Sequence, residues 1–380
     1  MVQCGGEGFV LEADLAEADL PGRSLTGSTG AGVSLNGRYP LYNRGTQVDI
    51  NRAGKAVEVS RADVESAEQD LIVRVAQAYF DVLAAQDALA AAQAFKKAVS
   101  EQLASAKRNF EVGTATITDT REAQARYDLV IAQEIAADND LRVKKLALDQ
   151  LVGKPGTAPK PLVAAELPAL LPTDINTWVQ QSQDNHPTVK QAVIALDVAK
   201  LETDKAAAGH KPTLDLTASY NLNSNVGGTS LTSTSSRSNS TTVGVSFSLP
   251  LFAGFATQNR LRETLSLADK ARADLDNAQR SVAQATRSAY FGVVSGLGQV
   301  KALEAAEASS QSALDANKLG YQVGVRINID VLNSQSQLYQ TKRDLAKARY
   351  DVLVGGLKLR QASGSLNTDH LQTVNQLLAK

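Results

Sequence analysis

Apolar residues recur every seven positions through the middle of the chain. Val64, Leu71, Ala78, Ala85, Ala92 and Val99 step by seven; Val75, Val82, Leu89 and Leu103 share their face, and Lys96 interrupts it. Apolar heptads predict helices packed as coiled coils. Residues 46–111 and 255–322 hold no Pro. A helix of roughly 65 residues is about 100 Å long and needs partner helices along its side. Each predicted helix breaks at a glycine, Gly113 or Gly324. A return helix follows, over 120–151 and 331–362. Val331, Leu338, Leu345, Val352 and Leu359 again step by seven, whereas the earlier return helix offers Tyr127, Leu141 and Leu148 but also Glu134. Two helical hairpins with tight glycine tips, 112–119 and 323–330, are expected.

Other segments alternate with a period of two. Residues 213–223 and 242–250, and a stretch near 31–42, read as strands with one apolar face. Asn221 to Thr242 is full of Ser, Thr, Asn and Gly and reads as a long polar loop or a flexible linker. A single helix is expected over 175–209. A connector covers 153–174, where Pro155, Pro159, Pro161, Pro168 and Pro172 fall. Three strands per chain cannot close a barrel, so membrane strands would force oligomerisation.

The hairpins are two copies of one unit. Ala78-Tyr79-Phe80-Asp81-Val82 recurs 211 residues later as Ala289-Tyr290-Phe291-Gly292-Val293. Phe110-Glu111-Val112-Gly113 and Tyr321-Gln322-Val323-Gly324 keep that offset, as do Ile117-Thr118-Asp119 and Asn328-Ile329-Asp330. The repeats span 1–152 and 175–372, with a C-terminal segment over 363–380.

Composition narrows the function classes. Aromatic residues are 5% and net charge is −1, so nothing invites nucleic acid. Cys4 is the only cysteine, which excludes an internal disulfide. His186, His210 and His370 have no metal-ligand spacing, and neither a phosphate loop nor a nucleophile elbow occurs. No cofactor is implied and an enzyme is not expected. No run is apolar enough for a membrane helix, which leaves a β-barrel open. The start lacks the order of an export signal.

These residues resemble the TolC family of outer-membrane efflux and secretion channels. The carriers are Ala78 to Leu83, Phe110 to Asp119, Lys211 to Ser219, Val243 to Phe252 and Gly320 to Leu332, within a similarity from about residue 31 to 372. The resemblance implies a mainly α fold with a small β component. Long coiled-coil hairpins would form a periplasmic α-barrel, and strands would join a shared trimeric transmembrane β-barrel. It implies a homotrimer in the outer membrane of a Gram-negative bacterium, spanning into the periplasm. Its partners would be outer-membrane lipid, a periplasmic adaptor (membrane fusion) protein, and an inner-membrane efflux pump or ABC transporter. Drugs or secreted polypeptides would be the cargo. The residues at 363–380 would form an equatorial segment.

By position, Asp330 matches a family aspartate at the narrowest constriction, and the family's second constriction aspartate is Asn333 here. Thr118, Asp119, Tyr321 and Arg326 match residues that tie neighbouring hairpins in the closed state. Asp119 would accept from Tyr321, and Arg326 would bond Thr118 or a carboxylate. The plainer alternative is that these are solvated residues at a helix start, with Asp119 and Asp330 favouring the helix dipole. The first copy departs from the family: it is expected to lack its opening helix and first strand, as a truncated or mis-started chain would. A soluble coiled-coil scaffold or adaptor is the competing class; it accounts for the heptads but not for the strands.

Overall fold

The computed structural model describes residues 9–14, 27–163, 172–229 and 232–379; Cys4 and part of the connector lie outside them. The fold divides into two compact units, residues 1–58 with 193–274, and residues 59–192 with 275–380.

The first unit contains a four-stranded antiparallel sheet in the order β1 (Phe9–Asp14), β2 (Gly27–Tyr42), β3 (Thr213–Thr229), β4 (Thr232–Ser248). Two expectations are corrected here. The first copy does have its first strand: β1 pairs with β2 from Phe9↔Gly37 to Asp14↔Gly32. The expected polar loop is mostly strand, because β3 and β4 stay paired from Thr213↔Ser248 to Thr229↔Thr232. A ladder is held by backbone bonds, so Ser and Thr side chains extend it as well as apolar ones do.

In the second unit lie the hairpins. Helix α1 (Arg44–Glu111) begins in the first unit and ends here, and returns as α2 (Ile117–Val152); α5 (Ala256–Gln322) likewise returns as α6 (Asn328–Ala362). Each return helix starts three residues earlier than its pattern suggested. At α2 the reason is a capping box: the Thr116 hydroxyl accepts from the Asp119 N–H, and the Asp119 carboxylate accepts from the Thr116 N–H at 3.0 Å.

The duplication holds at the level of single hydrogen bonds. Gly113 and Gly324 both have φ 78°. The Thr114 N–H donates to the Asn109 carbonyl at 2.8 Å, and the Val325 N–H to the Gly320 carbonyl at 2.9 Å. The glycines that follow the return helices, Gly153 and Gly364, are also left-handed, at φ 72° and 68°. All three pairs are 211 residues apart. The tyrosines of the repeated Ala-Tyr-Phe share a task as well. The Tyr79 hydroxyl accepts from the Lys160 N–H at 2.7 Å, and the Tyr290 hydroxyl donates to the Thr173 carbonyl at 2.5 Å. The two copies thus hold the connector at Lys160 and at Thr173.

The seams match the heptads in part. Val331, Leu338, Leu345, Val352 and Leu359 are all buried. At about 1.5–3 kcal/mol for each buried side chain, this stripe contributes on the order of 10 kcal/mol before entropy is counted. Val82, Ala85, Leu141 and Leu148 close the other hairpin. Val64 and Leu71, predicted as seam, are instead 58% and 47% exposed. Helix α2 ends at Val152, close to the level of Ala78, so the stripe on α1 outruns its partner. The two seam interruptions meet each other: Lys96 Nζ lies 2.5 Å from Glu134 Oε2. An ion pair at a seam fixes register more than it stabilises.

The expected helix 175–209 is two helices, α3 (Ile175–Asn185) and α4 (Pro187–Ala208). Pro187 disfavours a helical residue before it, and His186 is extended at ψ 130°. Gly364 packs against this break; a Cβ there would lie 2.6 Å from the His186 Cα. Helix α7 (Thr368–Asn375) places Leu371 and Val374 against Val73, Ala76, Leu357 and Leu366.

Two predictions follow from these contacts. Glu134→Leu alone should lower the thermal unfolding temperature of purified protein, by leaving Lys96 unpaired. Lys96→Met with Glu134→Leu should restore it to the parent value or above. The second concerns His186, whose Nδ1 accepts the Thr188 N–H at 3.1 Å and so caps α4. Burial, the largest cause, depresses its pKa; Glu65 opposes this and Lys190 adds to it. The unfolded imidazole titrates near 6.5. The cap's contribution is therefore complete above about pH 6.5 and is lost as pH falls through the lower folded value. Calorimetry between about pH 7 and 5 should show that loss, and His186→Asn, which keeps a capping acceptor, should flatten it.

Candidate functional site

Two regions are candidate functional sites, one in each unit. The sheet has two unlike faces. Register puts Val33 opposite Leu222, Leu35 opposite Tyr220, and Tyr39 opposite Leu216. It also puts Leu216 opposite Val245, and Leu214 opposite Phe247. These side chains share one face and are largely uncovered: Val243, Val245 and Phe247 are 70%, 62% and 65% exposed. The opposite face carries Ser34, Asn36, Arg38, Asp215, Thr217, Ser219 and Asn221. Here Arg38 meets the buried Asp215 at 2.6 Å and ties β2 to β3.

From Leu214 to Leu222 the apolar face runs about 26 Å along the strand, or about 20 Å in height at a tilt near 40°. A membrane barrel's apolar band is about 25 Å tall. Tyr39, Tyr42, Phe247 and Phe252 lie exposed at the helix end of this face, as the aromatic girdle of such barrels does. After β4 the chain turns through Gly254 and Phe255, at φ 57° and 65°. Phe255 adopts a conformation that favours glycine. Both outer strands, β1 and β4, have an edge that pairs with nothing among the described residues. No helix of the described residues is long and apolar enough to cross a membrane.

The second region is the pair of hairpin tips. Asp330 lies in the first turn of α6, 3.7 Å from Arg326. Asn333 is exposed and accepts from the Arg126 guanidinium at 2.8 Å. Thr118 is exposed. Within the chain, Asp119 and Tyr321 each have another partner. The Asp119 carboxylate is taken up by Thr116, and the Tyr321 hydroxyl accepts from the Asn109 amide at 3.2 Å. Arg326 forms its ion pair within the tip, with the Asp330 carboxylate four residues on.

The tightest junction between the tips was not foreseen. Asn328 is 1% exposed. Its Oδ1 accepts from the Gln102 amide at 2.5 Å, and its Nδ2 donates to the Asp119 carbonyl at 3.3 Å. A buried amide with both ends satisfied holds α1, α2 and α6 together. A core of Phe95, Val99, Leu103, Ala123, Val130 and Leu332 surrounds this junction. A signal was present in the repeat: the position of Ile117 in the first copy is Asn328 in the second.

A chain that joins a two-faced sheet to two long hairpins has the build of an outer-membrane channel. The family model described as "Outer membrane efflux protein" matches residues 13–154 and 178–365. The outer membrane protein TolC of Vibrio cholerae is 33% identical over 90% of this chain and 78% of its own length. TolC of Escherichia coli is 33% identical over 93% and 73%. The alkaline protease secretion protein AprF of Pseudomonas aeruginosa is 32% identical over 90% and 71%. Among solved structures, the outer membrane protein VceC of Vibrio cholerae superposes with a TM-score of 0.75 at 17% identity, covering 94% of this chain and 86% of that one. CusC superposes at 0.77 and 18%, covering 94% and 83%. The chain belongs to the outer membrane efflux protein family.

The two faces make opposite predictions for one substitution. Val243→Arg, opposite Ala218 at the middle of the apolar face, should cost about 2–4 kcal/mol, and Ser219→Arg on the polar face far less. Unfolding in urea with lipid vesicles present measures both.

Proposed function

We propose that this chain is one protomer of a homotrimeric exit duct through the outer membrane, open to drugs or secreted polypeptides and gated at the hairpin tips. One observation carries the reading. A sheet with an apolar, uncovered face and two open edges sits on the same chain as two long hairpins. Unpaired edges are intolerable in hydrocarbon, and pairing β4 of one copy with β1 of the next removes them. Three copies of the four-stranded sheet would make a twelve-stranded barrel. A soluble scaffold would leave the apolar face in water without compensation.

The hairpins would extend into the periplasm. Three sets of tips would converge there, with Asp330 forming a carboxylate ring and Asn333 a neutral one. Such a constriction favours cations through a single charged ring. A periplasmic adaptor and an inner-membrane pump or ABC transporter would meet the tips. The chain supplies passage, and the pump chooses the cargo. The name of AprF, a protease secretion protein, supports polypeptide export, and the efflux family supports small molecules.

Imaging of the detergent-purified protein should reveal trimers with a closed barrel; a compact monomer would refute the reading. In planar bilayers, Asp119→Ala with Arg326→Ala should raise conductance, because a helix cap and a tip ion pair are both lost. Unchanged conductance in intact trimers would remove these residues from the gate.

A further inference from the structure

We infer that Arg237 and its neighbours bind the phosphate of an outer-leaflet lipid headgroup, at the rim of the barrel farthest from the helices. This rests on the outer-membrane reading above, and adds the lipid chemistry and the residue that takes it.

The strands outlast the apolar band. By register, the outward face continues past Leu222 to Ser224, which lies opposite Ala31 on one side and Arg237 on the other. Among the described residues of β2, β3 and β4, Arg237 is the one charged residue on that face. Its neighbours there on β4 are Ser235 and Asn239. All three are exposed, as is Ser224. The Arg237 side chain has no carboxylate partner among the described residues.

Height sets what this guanidinium meets. From Leu222 to Ser224 the strand advances about 7 Å, or about 5 Å in height at a tilt near 40°. The headgroup layer is about 5–7 Å deep on each side of the hydrocarbon core. Arg237 therefore falls at headgroup level, where an arginine is tolerated, and not in hydrocarbon, where it is costly. With the hairpins in the periplasm, this rim lies in the outer leaflet.

The polar face treats its arginine differently. Arg38 is met there by the Asp215 carboxylate, 2.6 Å away in the same chain. On the outward face the guanidinium is left unmatched, and the hydroxyls of Ser224 and Ser235 and the Asn239 amide flank it. A planar fork of donors among neutral donors fits an anion with several oxygens, and phosphate matches it in a bidentate manner. A phosphate monoester suits the site better than a zwitterionic headgroup, which carries its own cation beside the phosphate. The trimer would carry three such sites around its far rim.

The test uses full-length trimers in vesicles of phosphatidylcholine with and without phosphatidic acid. Mass spectrometry of the extracted trimers counts the lipids they retain. The parent should retain phosphatidic acid in preference to phosphatidylcholine. Arg237→Ala should lower that preference about ten-fold or more, as expected for the loss of a charge-assisted hydrogen bond. Because the side chain is exposed and unpaired among the described residues, its removal should leave assembly intact. The stricter variant combines Arg237→Ser with Ser236→Arg. It keeps the net charge and nearly the same height but turns the guanidinium to the polar face. It should lose the preference as Arg237→Ala does. A preference that survives in either variant overturns the inference, since a general positive field would then explain it. Parent trimers that insert yet show no preference overturn this inference alone. A parent protein that neither assembles nor inserts refutes the outer-membrane reading itself.

Discussion

A helix of 68 residues cannot bury an apolar stripe against itself. It must find antiparallel partners along its length, and this requirement shapes the second unit. The chain answers it with hairpins, because a tight left-handed glycine turn returns the next helix along the same stripe. Gly113 and Gly324 supply that turn with the same dihedral angle and corresponding hydrogen bonds. Alanine along α1 allows close approach, and two of its aromatic residues mark points where a third helix joins. Phe80 stacks on Tyr350 of α6, and Phe95 lies tilted against Tyr339 of α6.

The sheet meets the complementary constraint. Its strands are amphipathic with a period of two, and their apolar side faces outward with nothing of the described chain upon it. An arrangement that would be a liability in water is the expected one for a lipid-facing barrel. Length, aromatic rim and open edges all agree with it. Ser and Thr carry the ladder beyond the apolar band, so the strands outlast the pattern that marks them.

Duplication explains the economy of the fold, and its imperfections lie mostly in side chains. Corresponding backbone turns have stayed alike while the side chains that join hairpins have diverged. Lys96 and Glu134 show how one contact masks itself in a one-dimensional pattern. Each looks like an isolated fault in a heptad, yet the two meet across a single seam. Asn328 is the reverse case, a polar residue at a position where the first copy is apolar, made tolerable by two partners from other helices.

The seven-residue and two-residue periods, the repeat offset and the tip glycines were all legible in the residues. Local periodicity and backbone freedom act over a few positions, and they determined hairpins, strands and turns. The partners across the seams were not legible. The Asp119 carboxylate is taken by the nearby Thr116 hydroxyl, and Tyr321 meets Asn109. The break at His186, the strand β1 and the exposure of Val64 and Leu71 likewise emerged only when the elements were set side by side. Which polar group reaches which depends on the relative rotation and length of packed helices, and no short stretch of sequence encodes that.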